Sequence, residues 1–303
     1  MNEKQRSGLV GILSEAIGFN YPMDRYTTFR VGGKAEAVCF PSELTLLRQT
    51  VSYLHDEGIP CLIVGKGSNL LVRDSGIKGV VIMLKGSLAT VERCDIGDNI
   101  LLAGGGLAIA EMLSYCAIEG LAGLEFLAGI PGSAGGAVFM NAGAFGKEIG
   151  GIVQEIQLVT VTGDMEKMAG SQLRFSYRSA SIPEGSVIHW IKFNLSRDNR
   201  DKVSGRIGEY LKERGQRQPL DMPSAGSVFR NPPGDYAGRL IEKAGLKGKR
   251  IGGAMISKKH ANFIVNTGNA KAKDVIALID LARDKVKGEM GIMLETEIRI
   301  VGE

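Results

Sequence analysis

The chain lacks several marks that settle a protein's class at a glance. Its 303 residues contain no apolar run of the ~20 residues that a helix needs to cross a bilayer. The opening Met1-Asn2-Glu3-Lys4-Gln5-Arg6 is polar and lacks the apolar core of a signal peptide. A cytoplasmic protein without a membrane partner is the expectation. Cysteine is scarce. Cys39, Cys61, Cys94 and Cys116 stand singly, with no CxxC pair, as expected of buried free thiols in a reducing compartment; no metal site is expected. A large charge of one sign is missing too. Lys and Arg total 37 against 33 Asp and Glu, a formal net charge of +4. That excess is too mild to argue for a nucleic-acid partner, and none is expected.

What the chain has in quantity is glycine. There are 42, roughly twice the average share of ~7%. Glycine is costly to order, so such enrichment in a compact chain points to positive φ or to close approach of bare backbone. Hydrophobic content of 44% and charged content of 23% are otherwise those of an ordinary globular protein.

The patterning alternates strands with helices. Leu44, Leu47, Val51 and Leu54 recur at helical spacing, with Ser42 placed to cap them. A short buried strand is expected at 61–64, and strands at 79–84, 89–94, 99–103, 152–162 and 187–195. Gly104-Gly105-Gly106 opens a helix carrying Ile109, Met112, Leu113 and Cys116. Near Ser196 the character changes, and a polar, basic helix runs to about Gln216. Two further helices follow at 236–244 and 273–286, the second with Val275, Leu278, Ile279, Ala282 and Val286 on one face. A strand over 294–301 closes the chain. The class read from this order is α+β, with a strand-rich first half and a lobe near 198–303.

Two glycine loops suit a phosphate. In Gly65-Lys66-Gly67-Ser68-Asn69-Leu70 a strand runs into a turn whose amides can form an anion nest, although a plain tight turn fits as well. The P-loop pattern is absent because Gly67 follows Lys66, and Leu70 stands where a dinucleotide fingerprint has its third glycine. The second stretch has no charge and little bulk: Gly129-Ile130-Pro131-Gly132-Ser133-Ala134-Gly135-Gly136, then Asn141-Ala142-Gly143-Ala144. It offers small residues and free N–H groups, the surface that a flat aromatic ligand with a pyrophosphate tail requires. A tightly packed turn between lobes is the alternative.

Together with Thr28-Phe29-Arg30-Val31-Gly32-Gly33, these motifs stand in an order that resembles the UDP-N-acetylenolpyruvoylglucosamine reductases of peptidoglycan precursor synthesis. The resemblance runs from about Tyr26 to Gly302. It implies a flavin-binding fold of the vanillyl-alcohol-oxidase type, with FAD subdomains at 1–86 and 87–197 and a substrate domain at 198–303, the last strand returning to the flavin. It implies that FAD is held by Gly65, Lys66, Gly67, Ser68, Asn69, Leu70, Gly129, Pro131, Gly132, Ser133, Gly135, Gly136, Asn141 and Gly143. No histidine stands in the first loop, so the flavin is expected to be non-covalent. His55, His189 and His260 all lie elsewhere, and no special role is expected of His55 or His189.

The implied reaction passes hydride from NADPH through FAD to the enolpyruvyl double bond of a UDP-sugar, giving UDP-N-acetylmuramate for cell-wall growth. An electron-rich enol ether accepts hydride only if its carboxylate takes up developing charge and a proton reaches the α carbon. The resemblance assigns Arg178, in Phe175-Ser176-Tyr177-Arg178-Ser179, to the carboxylate, which a guanidinium matches bidentately. It assigns Ser227, in Ser224-Ala225-Gly226-Ser227-Val228-Phe229-Arg230-Asn231, to the proton. Glu295, Glu297 and Arg299 share a face by strand alternation, which cannot choose between the carboxylates. The family motif selects Glu297, with its acid form favoured by burial. Arg217, Asn231 and His260 are candidate substrate contacts. After Arg178 the chain goes straight to the next strand, so it resembles the shorter form without the tyrosine insertion that folds over substrate. Another FAD oxidoreductase of this fold and a non-redox nucleotide-sugar binder are the rival readings. Oligomeric state and preference for NADPH over NADH stay open.

Overall fold

The computed structural model describes residues 1–93 and 99–303. Two compact units emerge, each assembled from three stretches of chain. The first contains Met1–Phe19, Glu36–Lys66 and Gly79–Lys212; the second contains Asn20–Ala35, Gly67–Lys78 and Glu213–Glu303.

The first unit has two apolar cores. One gathers Leu9 and Leu13 of the helix Glu3–Leu13, Leu47, Val51 and Leu54 of the helix Leu44–Asp56, and Ala37, Cys39, Val80 and Ile82 from strands. Those strands belong to a sheet ordered Ile17–Pro22, Lys34–Cys39, Ile77–Ile82, Cys61–Ile63. Ser42 does not cap the second helix. Glu43 is the cap residue, without a side-chain bond, and the Ser42 carbonyl instead accepts from the Ser87 amide at 2.9 Å. The 61–64 strand is not buried: Cys61–Ile63 is an edge strand, and Cys61 is exposed. Cys39 and Cys116 are buried, which pushes each thiol up to about 12, as inert structural cysteines require. Cys94 lies outside the described residues.

The other core lies on a five-stranded antiparallel sheet ordered Met165–Ala169, Val153–Val159, Val187–Asn194, Ile100–Gly104, Val91–Arg93. The helix Ile109–Glu119 lays all four expected residues, Ile109, Met112, Leu113 and Cys116, into it. Gly120, at φ +68, ends that helix in the left-handed conformation that glycine takes without steric cost.

In the second unit, a three-stranded antiparallel sheet, ordered Arg250–Ile251, Ala254–Ile256, Ile264–Asn266, packs with the helices Ala237–Lys243 and Ala272–Met290. The long helix buries Val275, Leu278, Ile279, Ala282 and Val286, the face its spacing predicts. Its first amides are held from far along the chain: Asp74 accepts from Ala272 at 2.9 Å and from Lys273 at 3.0 Å, a negative charge at the positive end of the helix. The closing strand is shorter than the pattern suggested. Only Arg299–Val301 is regular, parallel to Leu70–Val72, because the chain bends at Ile298. Among the described residues, no helix is long and apolar enough to cross a membrane.

One buried group in the first unit stands out. His189, on the strand Val187–Asn194, is 1% exposed, and neither ring nitrogen has a hydrogen-bond partner among the described residues. Burial holds its pKa down to about 4. A histidine depressed in the folded state gives its full stability above the unfolded value of ~6.5 and loses it as pH falls towards 4. The loss over that window amounts to about 3 kcal/mol. Urea unfolding of a His189→Leu variant between pH 7.0 and 4.5 is therefore expected to give a flatter stability profile than the parent. Equal slopes in the two proteins would exclude this account.

Candidate functional site

In the first unit Gly65 meets the second glycine stretch. An ideal Cβ on Gly65 would stand 2.2 Å from Ser133 Oγ, so only glycine lets these segments approach. Val64 spends its amide on Ile82, but those of Gly65, Lys66, Gly67 and Ser68 donate to no protein acceptor among the described residues. Gly67, at φ +62, gives this turn its left-handed residue. Four successive undonated amides after a strand suit a pyrophosphate, and Lys66 is exposed beside them. These features fit a flavin dinucleotide.

The second glycine stretch is built differently from the expectation of free N–H groups. Ser133 caps the short helix Ala134–Phe139, accepting from Gly136 at 3.3 Å. Ala134 donates to Leu107 at 2.8 Å, Gly135 to Gly105 at 2.9 Å, and Gly132 to Ile130 at 3.0 Å. The stretch is bare because it packs against other backbone: a Cβ on Gly135 would lie 2.9 Å from the Gly105 carbonyl. Gly129, at φ +78, turns the chain into it; Pro131 and Gly136 are exposed.

Farther along, Asn141 is fully buried, and its amide bonds to Glu148, Ser176 and Gly150. Gly143 offers its carbonyl to Arg178 Nη1 at 3.2 Å. Arg178 sits at φ +58 in a hairpin turn, and residues 181–186 alone join that hairpin to the next strand.

The second unit brings Ser227 and Glu297 onto neighbouring backbone. Gly226, at φ +75, turns the chain so that half-buried Ser227 bridges to Phe263. Val228 then accepts from the Glu297 amide at 2.8 Å, and Arg230 donates to the Glu295 carbonyl at 2.9 Å. Burial distinguishes the two carboxylates that alternation could not: Glu295 is exposed and Glu297 is half-buried. Asn69 holds the same segment from the glycine loop, its Nδ2 donating to the Glu297 carbonyl at 3.1 Å and its carbonyl accepting from Arg299 at 2.9 Å. Leu70 pairs with Arg299 in register.

Of the substrate candidates, Asn231 is exposed and accepts from Ala237 at 3.1 Å, which occupies its carbonyl oxygen. His260 takes the Asn262 amide on Nδ1 at 3.2 Å, leaving Nε2 to carry the proton of the neutral ring. Burial, then the Lys247 charge, lowers its pKa and favours that neutral ring. Arg217 is exposed at the end of the helix Arg200–Arg217, paired with Glu213 at 3.1 Å. Just beyond it, a cleft of about 380 Å³ is lined by Pro219, Leu220, Met222, Met255, Ser257 and Lys259 among others.

Sequence reasoning missed Asn262. It clamps the Ser227 turn three times: Phe229 donates to its Oδ1 at 2.9 Å, its Nδ2 donates to Phe229 at 2.8 Å, and Val228 donates to its carbonyl at 2.8 Å. The signal was two asparagines inside the apolar run Ala261-Asn262-Phe263-Ile264-Val265-Asn266, since a buried amide persists only with partners. Asn266 serves likewise, donating to Phe29 at 3.1 Å and Arg30 at 3.2 Å.

Comparison with known proteins agrees with this geometry. Residues 218–301 match the family model described as UDP-N-acetylenolpyruvoylglucosamine reductase, C-terminal domain, and residues 35–169 match that of an FAD binding domain. A UDP-N-acetylenolpyruvoylglucosamine reductase of Syntrophus aciditrophicus (strain SB) is 44% identical over 97% of this chain and 95% of its own length. One from Listeria monocytogenes serotype 4a (strain HCC23) is 39% identical, covering 95% of this chain and 96% of its own. The crystal structure of the reductase from Thermus caldophilus superposes with a TM-score of 0.81 at 35% identity, covering 93% of this chain and 97% of that one. With its flavin-domain and C-terminal matches and near-complete coverage, the chain belongs to the UDP-N-acetylenolpyruvoylglucosamine reductase family and is an α+β, FAD-dependent oxidoreductase.

Proposed function

We propose that the chain reduces UDP-N-acetylenolpyruvoylglucosamine to UDP-N-acetylmuramate in the cytoplasm, with NADPH as reductant and FAD held without a covalent bond. The observation that supports this reading is the backbone bond between Val228 and Glu297, which brings the Ser227 turn and the segment of half-buried Glu297 together. Bound FAD supplies the relay of hydride from NADPH to the methylene carbon of the substrate. The chain's own residues do the rest. The undonated amides of Gly65, Lys66, Gly67 and Ser68 receive the pyrophosphate, with exposed Pro131 and Gly136 towards the rest of the dinucleotide. Arg178 holds the substrate carboxylate and takes up the charge that develops there. Glu297, in its acid form, donates a hydrogen bond to the same group. Ser227 gives its hydroxyl proton to the α carbon, completing the lactyl ether. A serine is a weak acid, so this step needs a dry site and the developing carbanion close by.

The cleft beside Pro219 and Met255 is of a size for the nucleoside end of the substrate, with Arg217 and Lys259 near for the diphosphate. Asn231 and His260 are further substrate contacts in this reading. We assign the flavin subdomains to 1–86 and 87–197 and the substrate part to 198–303; the two separate apolar cores of the first unit support two flavin subdomains, with Leu88, Val159 and Val187 crossing into the core of the first.

Anaerobic stopped-flow tests the chemistry. In Ser227→Ala, bleaching of the flavin by NADPH is expected to stay fast, while its recolouring by the enolpyruvyl sugar slows by at least ~10³-fold. Equal loss in both halves would remove Ser227 from the proton's path. A second test concerns the cofactor. Gly65→Ala forces a side chain onto Ser133 Oγ, so FAD binding is expected to weaken about tenfold or more. Adding Ser133→Gly is expected to recover most of the flavin absorbance per protein. Full occupancy in Gly65→Ala alone would rule out this cradle.

A further inference from the structure

Arg178 stands on a turn that should not favour it. The strands Phe175–Ser176 and Ser179–Ala180 pair with Ser176 opposite Ser179, leaving Tyr177 and Arg178 as a two-residue link. Arg178 has φ +58, where glycine or asparagine is the usual second central residue. An arginine there is disfavoured, and such a conformation persists only where its surroundings hold it.

One residue outside the turn supplies that hold. Asn141 is 0% exposed and itself left-handed, at φ +42. Its Nδ2 donates to the Ser176 carbonyl at 3.0 Å, at the base of the turn. The other hydrogen of the same amide goes to Glu148 Oε2 at 2.7 Å, and its Oδ1 accepts from Gly150 at 3.1 Å. Glu148 belongs to the small hairpin of Gly143–Ala144 and Lys147–Glu148, and the Gly143 carbonyl is the acceptor for Arg178 Nη1 at 3.2 Å. A single buried amide thus joins the base of the arginine's turn to the hairpin that receives the arginine's guanidinium. Both of its donors are spent on these partners.

We propose that Asn141 is a positioning residue for Arg178: it fixes the Tyr177–Arg178 turn and so aims the guanidinium at the substrate carboxylate, rather than contacting the flavin. This rests on the role given to Arg178 above. An aspartate at 141 keeps the acceptor for Gly150 but turns oxygen towards Ser176 and Glu148. A serine is too short to span both.

The test is anaerobic stopped-flow on FAD-loaded Asn141→Ser and Asn141→Asp. Both are expected to keep the flavin spectrum and affinity of the parent, with reduction by NADPH within about twofold. Oxidation by the enolpyruvyl sugar is expected to slow about 30-fold, the size of effect that a small misplacement of a reacting group produces. Adding Asn141→Ser to Arg178→Ala is expected to cost less than about threefold more than Arg178→Ala alone, because a residue that acts through Arg178 loses its effect when Arg178 is gone. Weakened FAD affinity with an unchanged oxidative rate per bound flavin, or fully additive losses, would overturn the proposal. Should the Asn141 variants fail to fold, Glu148→Ala reads the same linkage from an exposed position. It is expected to slow flavin oxidation about threefold and to leave flavin reduction unchanged; an unchanged oxidative rate overturns the proposal. Arg178→Ala alone separates the two levels. If its oxidative rate equals that of the parent, the role of Arg178 falls. If it is slow while both Asn141 variants behave as the parent, only the positioning role falls.

Discussion

Peptide meets peptide without an intervening side chain where the strand Ile100–Gly104 gives way to the helix Ile109–Glu119, and the rest of the first unit is arranged around that contact. A Cβ on Gly105 would stand 1.9 Å from the Ile188 carbonyl. Its amide donates to His189 at 2.9 Å, and its carbonyl accepts from Gly135 at 2.9 Å. One glycine is therefore stitched on both sides, to a central strand of the sheet and to the short helix Ala134–Phe139. The position of Ser133 follows from that stitch, and the position of Gly65 follows from Ser133. Glycine abundance here reflects density of backbone packing first, and accommodation of a ligand second.

The elements legible in the sequence were those with long, clean periodicity. The helix Ala272–Met290 and its five buried residues could be read directly, as could the helix after Gly106, because a 3.6-residue repeat of apolar residues has few competing explanations. The failures share a different cause: tertiary partners that no local pattern reports. Ser42 has the right chemistry for a cap, but its carbonyl is tied to Ser87 and the helix starts one residue later. Cys61 to Ile63 read as a buried run, yet the strand lies at a sheet edge. Leu294 to Ile298 alternate as a strand should, but the segment bonds instead to Val228 and Asn69 and bends. The amides of Ala134 and Gly135 looked free because their acceptors, Leu107 and Gly105, are distant in the chain.

Buried asparagine is a recurring device in both units. Asn262 holds the Ser227 turn, Asn266 the Phe29–Arg30 backbone, and Asn141 the Arg178 hairpin. Asn141 and Asn266 use both donors and the acceptor of a short, stiff side chain, and Asn262 one donor and the acceptor, so each can satisfy irregular backbone that neither helix nor sheet can. Such irregular backbone is what presents a hydroxyl or a guanidinium at a fixed angle. Motif reading singled out Asn141 only as a flavin contact and passed over Asn262 and Asn266, because their value lies in what they hold, which becomes evident only once the chain is folded.

The patchwork make-up of the second unit has a consequence for how the chain comes off the ribosome. Phe29, Val31 and Leu71 are made early, yet the core that receives them, around Ala237, Leu240, Val275 and Leu278, is translated last. Synthesis runs at ~5–20 residues per second, so these apolar stretches wait roughly ten seconds or more for their partners. Throughout that interval they are sticky nascent segments, and shielding by a chaperone, or by the earlier folding of their flanks, governs the yield of intact enzyme.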